Sequence, residues 1–328
     1  MTTEQGPARG ATTARPRGSA RRRARLSAAA AAGALALFAG MACRGAGEAG
    51  KPRRAAAPPA APAQADGTVP SADGVPIRYH VTGGGPLAVV LVHCWSCNST
   101  IWQDTVAHLA GRYLVVTLDL AGHGESGVKR AAWTIPAFAE DVRAVVTALH
   151  LERVVLVGHS MGGYVVTEAA RRMPERVVGI VPVDTLQDVA AKWDEAKFAA
   201  FVDGFRKDFK GAVRGLVSQI VAKTSDPALV DRMSELMGSA HPDIGVAAML
   251  GLHDYDVTAA LEEIKAPIHS INGDLLPTNL EGNRAFAPRF DADILPGCGH
   301  FPMFEATEAF ERHLDAILAG FASPPAQP

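Results

Sequence analysis

The chain has 328 residues, four cysteines and a formal net charge of −2, with 32 Lys/Arg against 34 Asp/Glu. The charge is unevenly spread: residues 1–54 carry net +9 and the remainder net −11, and an acidic folded part excludes the basic footprint of a nucleic-acid groove. That part is long enough to bury a full core in one large domain or two.

In chain order, Arg21-Arg22-Arg23-Ala24-Arg25 precedes seventeen uncharged residues, Leu26 to Ala42. Charged then apolar is the layout of a secretory signal, and the run is short for a membrane span. The reading is a signal peptide over 1–43 and an exported protein: periplasmic, held at the membrane as a lipoprotein, or secreted. Gly40-Met41-Ala42-Cys43 resembles a lipoprotein cleavage box and offers Cys43 as a lipidated membrane tether, while Arg22-Arg23 fits a twin-arginine signal. Residues 44–66 are rich in Ala and Pro and too poor in large apolar groups to order themselves, so they read as a linker.

The remainder, 67–328, has the texture of an α/β domain. Thr68 to Ser71, Val75 to Val81 and Leu87 to Val92 read as strands separated by Asp73-Gly74 and Gly83-Gly84-Gly85-Pro86 turns. Ile101 to Leu109 has helical spacing, Tyr113 to Leu118 is a strand, and Ile135 to Leu149 is a helix. Val154 to Val157 and Val177 to Val183 are apolar at every position, as strands covered on both faces must be, and Ile268 to Ile271 and Ala292 to Leu295 complete the series. The expectation is a doubly wound, mostly parallel sheet of about eight strands with helices on both faces. After the sixth strand, about 186–262 holds Phe198, Phe201, Val202, Phe205, Phe209, Val213 and Leu216 at helical spacing and no strand, which predicts an inserted helical cap.

The chemistry centres on Gly158-His159-Ser160-Met161-Gly162, between the strand Val154 to Val157 and a helix predicted from Tyr164 to Met173. A G-x-S-x-G string alone is weak. Between strand and helix it describes a tight elbow that lifts a serine Oγ above the sheet. Serine needs a base, and Pro296-Gly297-Cys298-Gly299-His300-Phe301-Pro302 supplies one in a glycine-relieved loop after the last strand. His108, His150, His241, His253 and His269 lack such context and read as structural. Donors for a developing oxyanion would be the backbone amides of Met161 and, from the loop His93-Cys94-Trp95-Ser96-Cys97-Asn98, of Trp95. The reading calls for no metal and no organic cofactor.

From about Gly67 to Ala319 the chain resembles the α/β-hydrolases. The resemblance rests on the strand ending in His93, the Asp119-Leu120-Ala121-Gly122-His123-Gly124-Glu125-Ser126 loop, the Gly158 to Gly163 elbow and the loop with His300. It implies a serine hydrolase that cleaves an ester-like bond (carboxylic ester, thioester or lactone) of a small acyl substrate through an acyl-enzyme. C–C hydrolases and perhydrolases share the motifs, and a ligand-binding or signalling protein with little turnover would keep them too. Two positions depart from the family pattern: Cys94 stands where Gly usually follows the histidine, and the usual acid position, three after Gly273, is Leu276. The acid is then Asp184, at the end of the sixth strand as in some relatives, or Asp274. With Cys43 lost or lipidated, Cys94, Cys97 and Cys298 remain. They are either unpaired or joined by a Cys94–Cys298 bridge bracing the two loops, and Cys94-Trp95-Ser96-Cys97 alone is too few ligands for a zinc site.

Overall fold

A computed structural model describes residues 64–322. The signal segment with Cys43, and the linker up to residue 63, lie outside the described residues. The last three linker residues do not: β1 (Gln64–Pro70) begins there and pairs antiparallel with β2 (Pro76–Gly83), Gln64 opposite Thr82. Composition places this boundary late because Gln-Ala-Asp has no strand propensity, and the ladder to β2 supplies what propensity does not.

Next come β3 (Ala88–Val92), a one-turn 3₁₀ segment at Ser99–Trp102 leading into α1 (Gln103–Leu109), β4 (Leu114–Leu118) and α2 (Ile135–Ala148). Then follow β5 (Val154–His159), α3 (Met161–Arg172) and β6 (Val177–Val183). Four helices are inserted here: α4 (Glu195–Lys207), α5 (Phe209–Ile220), α6 (Pro227–Gly238) and α7 (Pro242–His253). The chain closes with α8 (Val257–Glu263), β7 (Ile268–Gly273), α9 (Leu280–Phe286), β8 (Phe290–Leu295), α10 (Pro302–Glu305) and α11 (Thr307–Ala322).

The eight strands form one sheet in the order β1-β2-β4-β3-β5-β6-β7-β8, antiparallel at β1–β2 and β2–β4 and parallel elsewhere. Every residue of β3 and β5 is buried, which explains their unbroken apolar runs. The helices α2 and α3 pack together and are joined by Arg172–Glu140 at 2.7 Å, while α1 and α11 are joined by His108–Asp315 at 2.9 Å. The chain order puts the carboxyl ends of β3, β5, β6 and β7 side by side, where the loops with Trp95, Ser160, Asp184 and Asp274 emerge.

Three of the four inserted helices, α4, α5 and α6, start at aspartate caps. Asp194, Asp208 and Asp226 accept from the amides of Lys197, Gly211 and Ala228 at 2.9–3.1 Å, each cap contributing about 1 kcal/mol. Their apolar stripe is buried inward: Phe205 and Phe209 pack on Trp95 with ring centroids 5.1 and 5.8 Å away, and Trp95 Nε1 donates to the Gly245 carbonyl at 2.7 Å. In contrast, α8 packs against α3, with the adjoining Tyr255 hydroxyl on buried Glu168 at 2.8 Å.

The cysteines differ from both expectations. Cys94 and Cys97 are bridged to each other with Cα atoms 5.3 Å apart, and Cys298 is a buried free thiol whose pKa is pushed up to about 12, chiefly by burial. The turn Cys94-Trp95-Ser96-Cys97, with Ser96 at φ +54, folds the two sulfurs together and leaves none for Cys298. Tryptic peptide 79–112 contains both bridged cysteines. In protein alkylated under denaturing, non-reducing conditions it is expected unmodified and about 2 Da light, with Cys298 alkylated; label on Cys94 or Cys97 would contradict the bridge.

Candidate active site

Ser160 joins β5 to α3 with φ +54 and ψ −119, a conformation that a residue with a Cβ rarely adopts. Its amide donates to the Val183 carbonyl at 3.0 Å, and its carbonyl accepts from Gly163 at 2.8 Å. Two glycines make the turn fit. A Cβ on Gly158 would stand 2.2 Å from the Gly162 carbonyl oxygen, and one on Gly162 would stand 2.6 Å from the carbonyl oxygens of Val92 and His93. The helix begins at Met161, three residues earlier than periodicity indicates, because Gly162 and Gly163 act as close-packing positions inside its first turn.

His300 lies on the loop between β8 and α10, and its Nδ1 is 2.5 Å from Asp184 Oδ2. The other carboxylate oxygen of Asp184 accepts from the Gly273 amide at 2.8 Å. Burial works against the Asp184 charge, but the hydrogen bond and charge of His300 and the Gly273 amide outweigh it and hold the carboxyl below its ordinary value. The structure thus brings His300 together with Asp184. Asp274 is exposed and, among the described residues, accepts from the Gly297 amide at 2.9 Å and is not joined to His300; Leu276 is also exposed.

Asp184 and Leu186 both have positive φ, +44 and +56. Two buried asparagines support this bend. Asn272 Oδ1 accepts from the Thr185 amide at 3.2 Å, and Asn283 donates to the Leu186 carbonyl at 2.6 Å and accepts from the Val189 amide at 3.0 Å. Sequence reasoning misses both, since a lone Asn in a strand or short helix carries no local signal; Asn272 ending an apolar strand is the available hint.

The Trp95 and Met161 amides donate to no protein acceptor among the described residues. Three neutral histidines build the surroundings. His93 donates from Nδ1 to the Cys94 carbonyl at 2.8 Å and accepts from the Leu120 amide at 3.0 Å, while His123 donates to the Ala121 carbonyl at 2.9 Å and accepts from the Ser96 amide at 3.3 Å. His159, beneath His300, donates from Nε2 to the His300 carbonyl at 2.6 Å, and the two rings lie 4.9 Å apart. Burial lowers the pKa of all three, to about 3 for His123 and His159. A histidine whose pKa is lowered on folding binds fewer protons folded than unfolded. Its stabilisation is therefore present above the ordinary 6.5 and lost as pH falls from there toward 3. Unfolding free energy is expected to fall between pH 7.5 and 5.5, with a slope approaching at most about 4 kcal/mol per pH unit for three such groups, and to be read as a lower urea midpoint; an unchanged midpoint would contradict their neutrality.

The chain is similar to known proteins in sequence and fold. A model of the alpha/beta hydrolase family matches residues 89–313. A pimeloyl-[acyl-carrier protein] methyl ester esterase from Aliivibrio salmonicida is 28% identical over 253 residues, 73% of this chain and 95% of that one. An uncharacterized protein of Mycobacterium tuberculosis is 39% identical over 105 residues, 32% of this chain, and the match spans only 30% of that relative's length. Among solved structures, a thermophilic esterase from Thermogutta terrifontis superposes with a TM-score of 0.69 at 25% identity, covering 79% of this chain and all of the other. With the match running from β3 through the elbow and the histidine loop, and covering more than half of the chain, the chain belongs to the α/β-hydrolase family.

Proposed function

We propose that this protein is a serine hydrolase of carboxylic esters that works through an acyl-enzyme. The observation that carries the reading is the 2.5 Å contact between His300 Nδ1 and Asp184, in a chain whose Ser160 occupies the strained elbow. In this reading Asp184 fixes the tautomer of His300 with the proton on Nδ1, leaving Nε2 to take the Ser160 proton as Oγ attacks the ester carbonyl. The Met161 and Trp95 amides receive the oxyanion. His300 returns the proton to the leaving alcohol, then activates a water that releases the acid and frees Ser160. The relative named as a methyl ester esterase and the esterase structure support a carboxylic ester as substrate, and a lactone, itself a cyclic ester, fits the same chemistry. The charged-then-apolar leader supports export, with Cys43 as a lipid tether to the membrane.

A fluorophosphonate probe is expected to label wild-type protein at Ser160, and Ser160→Ala to lower kcat on a short-chain chromogenic ester by about 10⁶. Labelling elsewhere, or an alanine variant that still turns over, would sink the reading. Labelling of Ser160 without turnover of any ester in a graded acyl series would point to the binding-protein alternative.

The acid is tested by comparison. Asp184→Asn keeps the shape and removes the charge, so kcat is expected to fall by about 10⁴. Asp274→Asn removes a charge but keeps an oxygen to accept from the exposed Gly297 amide, and is expected to stay within about tenfold. The reverse ranking would transfer the acid's role to Asp274.

A further inference from the structure

The loop with His300 is tied down by one carboxylate that the reaction scheme above does not use. Glu305, the last residue of α10, accepts four hydrogen bonds. Oε1 takes the Phe301 amide at 2.7 Å; Oε2 takes the Gly299 amide at 3.1 Å, the Ala222 amide at 2.8 Å and the Ser225 hydroxyl at 2.8 Å. Two donors flank His300 in the chain, and the other two come from the segment between α5 and α6 of the inserted helices. The amide of His300 itself donates to the carbonyl of Ile220, the last residue of α5, at 2.8 Å. Gly299 lets the segments meet: a Cβ there would stand 2.5 Å from Ala222 N, 2.6 Å from Ile220 O and 2.8 Å from Glu305 Oε2.

A carboxylate offers about four lone-pair sites, and here all four donors reach one group. Charge-assisted bonds of this kind are stronger than neutral ones and fix direction as well as distance. The backbone on both sides of His300 is therefore held to the inserted helices, while His159 holds its carbonyl from below and Asp184 holds its ring. An amide in place of the carboxylate keeps the volume but offers one acceptor oxygen and turns its own donors toward amide donors.

We infer that Glu305 is a positioning residue for His300, locking the base loop to the cap so that the imidazole stands where Ser160 needs it. This rests on the serine-hydrolase reading, since it concerns the placement of that base. Displacing a catalytic group by a fraction of an ångström costs turnover more than affinity. Because His300 serves both formation and hydrolysis of the acyl-enzyme, both steps suffer together.

The test compares the wild type, Glu305→Gln and Ser160→Ala, with Glu308→Gln, an exposed carboxylate in the next helix, as control. In Glu305→Gln, kcat on the chromogenic ester is expected to fall about 10- to 100-fold with KM within about threefold. Glu308→Gln should match wild type. An independent readout is the low-field proton resonance of the His300 Nδ1–H held by Asp184, expected sharp in wild type and Glu308→Gln, and broadened or lost in Glu305→Gln. A Glu305→Gln protein with wild-type kcat and an unchanged resonance would overturn the inference. Absence of any Ser160-dependent turnover in wild type would instead overturn the hydrolase reading, and the resonance would still report on positioning. Should Glu305→Gln fail to fold, Ser225→Ala decides: it removes one donor and leaves the carboxylate, so a two- to fivefold loss of kcat, roughly, at unchanged KM supports the latch, and wild-type kcat refutes it.

Discussion

Holding a side chain at φ +54 costs of the order of 1–3 kcal/mol, and the site depends on Ser160 being kept there. What keeps it there is the absence of two Cβ atoms. With Gly158 and Gly162 in contact with backbone, α3 starts directly at the end of β5, with only Ser160 between strand and helix. The register of β5 between β3 and β6 sets where the turn occurs, since Gly158 pairs with Val92 on one side and Pro182 on the other. The same pairing brings the loop after β3 and the bend after β6 up beside the elbow. The bridge between Cys94 and Cys97 shortens that first loop around Trp95, and the Trp95 side chain is gripped in turn by Phe205, Phe209 and Gly245 of the inserted helices.

Hydrogen bonds to uncharged imidazoles carry much of this precision. Each of His93, His123 and His159 is buried, and each donates from one ring nitrogen to a backbone carbonyl. Protonating such a ring would put a charge where burial makes it costly, which is why all three stay neutral. His300 differs in having Asp184 against its ring, so a positive charge there has a partner. Of these four site histidines, the one proposed to cycle through the imidazolium form is the one hydrogen-bonded to a carboxylate, and its neighbour His159 contributes shape and one hydrogen bond.

Local pattern made the sheet and the elbow legible, because β3, β5 and β6 are covered on both faces and an unbroken β-branched run suits a strand with no solvent-facing side. His300 was legible from the glycines around it. Trp95 and Met161 were proposed as oxyanion donors only from position, as backbone donors leave no side-chain signature. The Cys94–Cys97 bridge, the asparagines under the Asp184 bend and the four bonds to Glu305 were not legible: each depends on segments distant in sequence or on a loop path that composition does not set. The start of β1 at Gln64 was hidden for a related reason, since an edge strand built from polar residues is made by its partner and not by its own propensity.

The choice between Asp184 and Asp274 shows how geometry separates residues that a sequence leaves nearly equivalent. Both follow a parallel strand at the carboxyl edge of the sheet, and both can reach the loop between β8 and α10. Asp184 leaves β6 with positive φ, and the turn aims its carboxylate across β7, where the Gly273 amide takes one oxygen and His300 the other. Asp274, just past β7, turns outward to the Gly297 amide and holds the far side of the same loop. Gly273 serves both arrangements, because a Cβ there would stand 2.4 Å from the Cys298 carbonyl oxygen and push the loop off the strand end. With a carboxylate from β6 already on His300, the position three after Gly273 carries no acid, and Leu276 there is exposed. Bringing the Asp184 carboxylate to His300 requires a strained bend after β6, and Asn272 and Asn283 are the residues that hold it.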